Sequence, residues 1–192
     1  MKIRLGVITV AALLSFVWAT ESRGAPTGQP NILWITAEDM SPTLGCYGDR
    51  YAITPNIDRL ADQSLRYTHA MATAPVCSPS RACLINGCIA TRSGTHPMRS
   101  QFPLPGEMNG FPAILRKAGY YTTNNVKTDY NTSSQRVIVD ASWDESSATA
   151  DWRGRRGDQP FFCVMNLMTT HQSRTMVWPY AQFQDEIQSK LE

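Results

Sequence analysis

The chain has 192 residues, of which 42% are hydrophobic and 18% are charged. This length fits one domain or a large part of one, and the composition is that of a chain with a packed core and not of a disordered one. The formal net charge of +2 is too small to indicate a nucleic-acid partner, and no basic run or internal repeat occurs.

The N-terminus has the pattern of a secretory signal peptide. A short basic start at residues 1–4 precedes an almost wholly apolar run at residues 5–19. That run is too short to favour a stable membrane span, although a retained N-terminal anchor is the alternative. We therefore expect residues 1–24 to be a signal peptide and residues 25–30 to be a linker, and we expect the protein to be secreted or periplasmic.

The cysteine content constrains disulfide formation. The count is odd, so at least one thiol stays outside any intrachain disulfide. Export would permit disulfides, and no spacing between the cysteines matches a zinc site. The five cysteines are Cys46, Cys77, Cys83, Cys88 and Cys163.

Apolar runs and helix-start signals alternate along the first half of the chain. The apolar run at residues 31–36 predicts a buried strand. Thr54-Pro55 predicts the start of a helix that continues to about Leu65, because threonine is a common N-cap and proline fits the first turn. Residues 66–70 are a candidate short strand.

The alternation continues toward the C-terminus. A second helix is predicted to start between Cys77 and Ser80 and to end near Gly87, a residue type that commonly follows helices. An early proline and a late glycine predict a third helix at residues 111–119. Further strands are predicted at residues 120–124, 137–139 and 161–168.

Strands that alternate with helices predict an α/β fold in which helices cover both faces of the sheet. In such folds the reactive groups collect at the carboxyl ends of the strands. Polar residues suited to chemistry follow three of the predicted strands, and they are Glu38 with Asp39, Lys127, and His171. We therefore expect one site at that edge of the sheet.

A short motif suggests which chemistry this site performs. Residues 77–81 read Cys-Ser-Pro-Ser-Arg and match every fixed position of the Cys-x-Pro-Ser-Arg signature of the type I, formylglycine-dependent sulfatases. Alone, this match also fits an ordinary cysteine at a helix start. Other segments resemble the same family in the same order, and they are residues 31–39, 54–61, 119–124 and 160–171. The chain is therefore similar to the N-terminal portion of a type I sulfatase, with a resemblance to bacterial heparan-sulfatase and sulfamidase-like members.

The resemblance implies an alkaline-phosphatase-like sheet in residues 31–192, incomplete because family members are much longer. It also implies that a formylglycine-generating enzyme oxidises Cys77 to formylglycine, whose hydrated diol attacks the sulfur of the substrate. The implied catalytic residues are Cys77, Arg81, Lys127 and His171. The implied ligands of a calcium or magnesium ion are Glu38, Asp39 and Cys77.

Two positions depart from the family pattern. Glu38 stands where the family usually has aspartate, and its longer side chain makes it a less certain metal ligand than Asp39. Asp129 stands where a histidine often follows the lysine that Lys127 matches, so a cationic contact to the diol is missing or replaced. The sequence also offers no candidate for the second metal-binding pair that family members carry downstream, which suggests a truncated or inactive copy.

The function that this resemblance implies is hydrolysis of a sulfated carbohydrate or a small sulfate ester, in which the sulfate is bound to oxygen or, as in the substrates of sulfamidases, to nitrogen. One alternative is a phosphonate or phosphate monoester hydrolase, since relatives with those activities share the fold and the modified cysteine. Another is a non-catalytic remnant that binds a sulfated glycan. Neither a nucleic acid nor a stable membrane span is expected.

Overall fold

The computed structural model of the chain describes residues 28–175, 177 and 179–190. The predicted signal peptide at residues 1–24 lies outside the described residues, as does the first half of the predicted linker, residues 25–27. Within the part that is described, no helix has both the length and the apolar composition that crossing a bilayer requires.

A four-stranded parallel sheet forms the centre of the fold, in the order β1-β4-β2-β3. Its strands are β1 (Ile32–Ala37), β2 (Tyr121–Asn125), β3 (Glu145–Ser146) and β4 (Phe161–Leu167). Val164 of β4 lies opposite Trp34 on one side and Asn124 on the other. Because the strands are parallel, the carboxyl ends of β1, β2 and β4 meet at one edge, and the predicted α/β class is confirmed.

Short helices connect the strands. The α-helices described are α1 (Pro55–Ala61), α2 (Cys77–Asn86), α3 (Ala90–Ser93), α4 (Pro112–Lys117), α5 (Gln135–Ser142), α6 (Gln172–Thr175) and α7 (Tyr180–Glu186). The 3-10 helices are η1 (Gly45–Tyr47), η2 (Trp152–Gly154) and η3 (Gln188–Lys190). The predicted end of the second helix is confirmed, because Gly87 follows α2 with a φ of 62°, a left-handed conformation that glycine adopts without strain.

Two of the predicted strands are wrong. Residues 137–139 belong to α5, in which Ile138 and Ser142 are both buried, four positions apart, as expected for one face of a helix. A three-residue β-branched run is too short to show this period. Residues 66–70 form no strand, and every residue in the segment is exposed.

One face of the sheet carries the core. Phe162 stacks on Trp143 with 5.9 Å between ring centroids and packs against Trp34 at 6.1 Å. Helix α2 contributes Ile85 to this cluster and α5 contributes Ile138, while Leu115 of α4 packs against its edge. These three helices therefore share the first face of the sheet.

The second face differs along its width. Beside β2 and β4 it is covered by η2, where Trp152 stacks on Phe161 with centroids 6.0 Å apart. Cys163, next along β4, is fully buried there. On the outer strand β1 the same face stays open, and Leu33 and Ile35 are 49% and 55% exposed.

Candidate functional site

The expected cluster of polar residues lies at the carboxyl edge of the sheet. Glu38 directly follows β1, Lys127 follows β2 by two residues, and His171 follows β4 by four. Helix α2 brings Cys77 and Arg81 to the same edge, one helical turn apart. A single open cavity is lined by Cys77, Arg81, Glu38 and Asp39, among other residues.

Glu38 is the most enclosed acid of this cluster. Its side chain is only 7% exposed, and each carboxylate oxygen accepts from a different cation. Lys127 Nζ donates to Oε2 at 2.9 Å, and Arg81 Nη1 lies 3.4 Å from Oε1. A buried carboxylate needs such partners, since an unpaired charge in the interior is strongly destabilising.

Arg81 is held by contacts on all sides. Its Nε donates to the carbonyl oxygen of Thr128 at 2.7 Å, and its Nη2 donates to the carbonyl oxygen of Lys127. Its Nη1 donates to Oδ1 of Asn166 at 2.9 Å. The guanidinium therefore fixes the loop that follows β2 against helix α2, and it has little freedom to turn toward a ligand.

Cys77 is the first residue of α2 and is half-buried. Its thiol donates to Oδ2 of Asp129 at 3.8 Å, and the other oxygen of that carboxylate lies 3.4 Å from Nη1 of Arg99. The carboxylate of Asp129 therefore links the thiol of Cys77 to the guanidinium of Arg99. The sequence predicts that a cationic contact from position 129 is missing or replaced. In the structure this position supplies the carboxylate of Asp129, which is paired with Arg99.

His171 lies beside Asp39, which lines the cavity. Its Nε2 is 4.0 Å from Oδ2 of Asp39, and its Nδ1 shares a hydrogen bond with Ser173 Oγ at 2.7 Å. The same Asp39 oxygen accepts from the backbone N–H of Gln172 at 2.9 Å. Asp39 therefore joins the end of β1 to the turn after β4, and His171 is placed through Asp39 without a direct contact to Cys77.

Asn166 is a site residue that the sequence analysis did not single out. It is buried in β4, where its Oδ1 accepts from Arg81 and from the Thr36 hydroxyl at 2.9 Å each. Its Nδ2 donates to the Asn125 carbonyl oxygen at 2.8 Å. An asparagine inside an apolar strand is a visible signal, because a buried amide must find several partners.

The cavity offers part of a divalent-cation site. Glu38 and Asp39 present hard oxygen ligands, yet both Glu38 oxygens already accept from cations. Calcium takes about six to eight oxygens, and no group of three His, Cys, Asp or Glu side chains suited to a metal occurs among the described residues. The described residues alone therefore do not complete the predicted metal centre.

Comparison with known proteins gives a consistent picture. Residues 30–191 match the family model described as Sulfatase. The chain is 40% identical over 157 residues to an ulvan-active sulfatase of Formosa agariphila, covering 76% of this chain and 26% of that protein. It is 37% identical over 120 residues to human steryl-sulfatase, covering 57% of this chain and 20% of that protein.

A solved structure shares the fold. It is that of BT4656 in complex with its substrate D-glucosamine-2-N,6-O-disulfate, with a TM-score of 0.63 and 22% sequence identity, covering 76% of this chain and 35% of that chain. This chain thus spans about a quarter or less of the length of the two curated relatives and about a third of the solved one.

Proposed function

Because this chain belongs to the sulfatase family, we propose that the protein carrying it hydrolyses sulfate esters at the edge of the sheet that carries Cys77, Arg81 and Glu38, with Lys127 bound to Glu38. The observation that supports this proposal most strongly is the set of charged groups around Cys77. A half-buried cysteine at a helix start faces the same cavity as an acid that is bridged by two cations. An ordinary structural cysteine requires no such surroundings.

The proposed nucleophile is formed from Cys77 by a formylglycine-generating enzyme. Formylglycine supplies a hydrated diol, of which one hydroxyl attacks sulfur and the other later expels sulfate. The position fits such a group, since the Cys77 side chain lies beside an acceptor, Oδ2 of Asp129, at 3.8 Å. We assign to Asp129 the role of holding a hydroxyl of residue 77 in place.

The two cations have different proposed roles. Lys127 contacts Glu38 through one hydrogen bond at 2.9 Å, which leaves further donors on its ammonium group for a sulfate oxygen. Arg81 donates from Nε, Nη1 and Nη2 to other parts of the protein. Arg81 therefore positions the loop of Lys127 and adds positive potential, while Lys127 is the group that contacts the substrate.

His171 is the proposed acid that protonates the leaving oxygen. Its imidazole Nε2 lies 4.0 Å from Oδ2 of Asp39, and Asp39 lines the same cavity as Cys77. Asp39 also accepts from the backbone N–H of Gln172, the residue next to His171, and so helps to hold the turn that carries the imidazole.

Binding of calcium or magnesium is part of the proposal for the whole protein. Glu38, Asp39 and the oxygens of the modified residue 77 would be its ligands, and the cation would neutralise charge on the sulfate. These groups are too few for a full coordination sphere, which water or ligands outside the described residues would complete. None of the residue roles given above depends on the cation.

The proposed substrate is a sulfated carbohydrate or a small sulfate ester. The relative with 40% identity is named as active on ulvan, and it supports a carbohydrate substrate without identifying one for this chain. Secretion or export to the periplasm belongs to the same proposal, since the apolar segment at residues 5–19 has the pattern of a signal peptide.

A paired-substrate assay tests the proposal. The protein is co-expressed with a formylglycine-generating enzyme and assayed with an aryl sulfate and the matching aryl phosphate. We expect sulfate release to dominate and to vanish in Cys77→Ala. Cys77→Ser should accumulate sulfated protein without turnover, because serine lacks the second hydroxyl. Cys46→Ser, in η1 outside the site, is the matched control and should keep activity.

The same assay separates the alternatives. Faster release of phosphate than of sulfate would favour the phosphonate or phosphate hydrolase. Binding of a sulfated oligosaccharide without any turnover, in protein shown to contain formylglycine, would favour the non-catalytic remnant.

A further inference from the structure

Two cysteines flank the C-terminal end of α2, the helix that also carries Cys77 and Arg81. The helix ends at Asn86, and Gly87 follows in the left-handed conformation. The backbone N–H groups of Gly87 and Cys88 both donate to the carbonyl oxygen of Cys83, the latter at 3.3 Å. The second bond spans six residues, which is the mark of a Schellman helix end.

This helix end places the two cysteines near one another. In a Schellman motif the side chains of the residue three before the cap and the residue two after it are frequently in contact, and here those positions hold Cys83 and Cys88. Both line one small cavity with Met71, Leu84 and Ile89. Cys83 is 5% exposed and Cys88 is half-buried, so both thiols are partly or largely screened from water.

The backbone bond between these residues also limits their separation. Covalent lengths on either side of a 3.3 Å bond allow at most about 7.5 Å between the two Cα atoms, and the bond angles reduce this further. Disulfides usually span Cα separations of about 4.4 to 6.8 Å. The backbone bond therefore keeps the two Cα atoms close to the separation that a disulfide spans.

We propose that Cys83 and Cys88 form an intrachain disulfide that locks the C-terminal end of α2. The two thiols, free in this structure, lose two protons and two electrons to a disulfide oxidant of the glutathione class, which is reduced to two thiols as the new S–S bond forms. The proposal is independent of the sulfatase proposal, because neither cysteine is part of the cavity that contains Cys77.

The remaining cysteines are poor competitors for this pairing. Cys163 is fully buried in β4, where burial raises the pKa of its thiol and so suppresses the thiolate that exchange requires. Cys46 lies in the separate short helix η1. Cys77 lies at the other end of α2 and shares no wall of the cavity that Cys83 and Cys88 line.

The chain offers a direct readout for this bond. Trypsin cleaves after Arg81 and Arg92, so Cys83 and Cys88 fall in one peptide, residues 82–92, which contains no other cysteine. The disulfide form is lighter by two hydrogen atoms and takes up no alkylating reagent. The protein is equilibrated in glutathione redox buffer, with and without urea, then acid-quenched, alkylated and digested.

We expect the equilibrium constant for this disulfide to be at least about tenfold higher in the folded protein than in urea, because a fold that holds the thiols together favours the bond. Oxidation should correspondingly raise the melting temperature by about 3 to 6 °C. The shift should be lost in Cys83→Ser and Cys88→Ser and kept in Cys46→Ser.

Equal equilibrium constants in the two conditions would overturn the proposal, as would full alkylation of both thiols in oxidising buffer. A dominant pairing of Cys83 or Cys88 with any other cysteine would also overturn it. The comparison uses the unaltered chain, so the result stands even where a serine variant fails to fold.

Discussion

The two faces of the sheet present opposite surroundings to residues of similar character. On the first face, Trp34 and Phe162 pack among aromatic rings and under helices α2, α4 and α5. On the second face, Leu33 and Ile35 of the same strand β1 remain about half exposed. Neighbouring residues of one apolar run thus differ in burial because of what packs on each side.

This difference shows that the apolar sequence of a strand does not by itself decide whether both of its faces are covered. A strand that is apolar on both sides is typical of a parallel sheet covered on both faces. The sequence of β1 is consistent with two covered faces, while the described residues cover one. Stability should therefore depend strongly on first-face residues and weakly on the residues of β1 that lie on the open part of the second face.

The largest expected effect is at Phe162. Phe162→Ala should destabilise the fold by about 3 to 5 kcal/mol, because it leaves a cavity beneath three other aromatic rings. Leu33→Ala, on the open face of β1, should cost less than about 1 kcal/mol. Urea denaturation followed by circular dichroism measures both. Equal losses for the two variants would break the comparison of faces.

A second prediction extends the comparison to charged groups. Glu38→Gln should destabilise the protein by about 2 to 4 kcal/mol, since it leaves Lys127 and Arg81 enclosed without their shared carboxylate. Asp140→Asn removes the partner of Arg136 in an exposed pair and should cost less than about 0.5 kcal/mol. The same denaturation experiment applies, and a Glu38→Gln loss as small as that of the control would contradict the described burial of the site.

A third prediction compares a single type of change on the two faces. Ile35→Thr should alter stability by less than about 0.5 kcal/mol and should reduce self-association, because it removes apolar surface from an open face. Val164→Thr, on the covered face, should lower the free energy of unfolding by about 1 to 2 kcal/mol, because it buries a hydroxyl without providing it with a hydrogen-bond partner. Light scattering and chemical denaturation provide the two measurements. If Ile35→Thr self-associates as strongly as the unaltered protein, the open face of β1 does not drive self-association.

The smallest expected effect is a slope of stability at alkaline pH. Burial raises the pKa of Tyr130 above its ordinary value of 10.0, and the Trp143 Nε1–H that donates to it offsets this only in part. The folded state therefore keeps a proton that the unfolded state releases. Stability from this group is complete below pH 10 and is lost as pH rises through the folded pKa.

Tyr130→Phe should flatten that slope in denaturation curves measured across alkaline pH. Tyr67→Phe, at a tyrosine that is 72% exposed, should leave the slope unchanged. An identical slope in both variants would assign the alkaline effect to other groups.

Strands β1, β2 and β4 and helix α2 could be predicted from sequence because their signals are local, whereas the two-residue strand β3 was not predicted. The apolar runs of β1 and β4, and Gly87 after α2, each act within a few residues. The same patterns place Glu38, Lys127 and His171 after strands, and so near one edge. Their predicted chemical roles remain proposals.

The rest depends on contacts between distant parts of the chain. Residues 137–139 favour a strand by composition, yet packing of Ile138 in the core places them in helix α5. The role of Asn166 depends on Arg81, which is 85 positions away. Asp129 could be recognised as a departure from the family pattern, but its contact with Arg99 could not, because Arg99 lies in a loop without a local signal.

The central claim is that Cys77 is the precursor of the nucleophile, and its chemical state tests that claim most directly. Trypsin releases residues 67–81 as a peptide in which Cys77 is the single cysteine. After co-expression with a formylglycine-generating enzyme, we predict that this peptide carries an aldehyde that reacts with a hydrazide reagent and has lost its thiol. An unmodified thiol throughout, with the enzyme active on a control substrate in the same cells, would contradict the account.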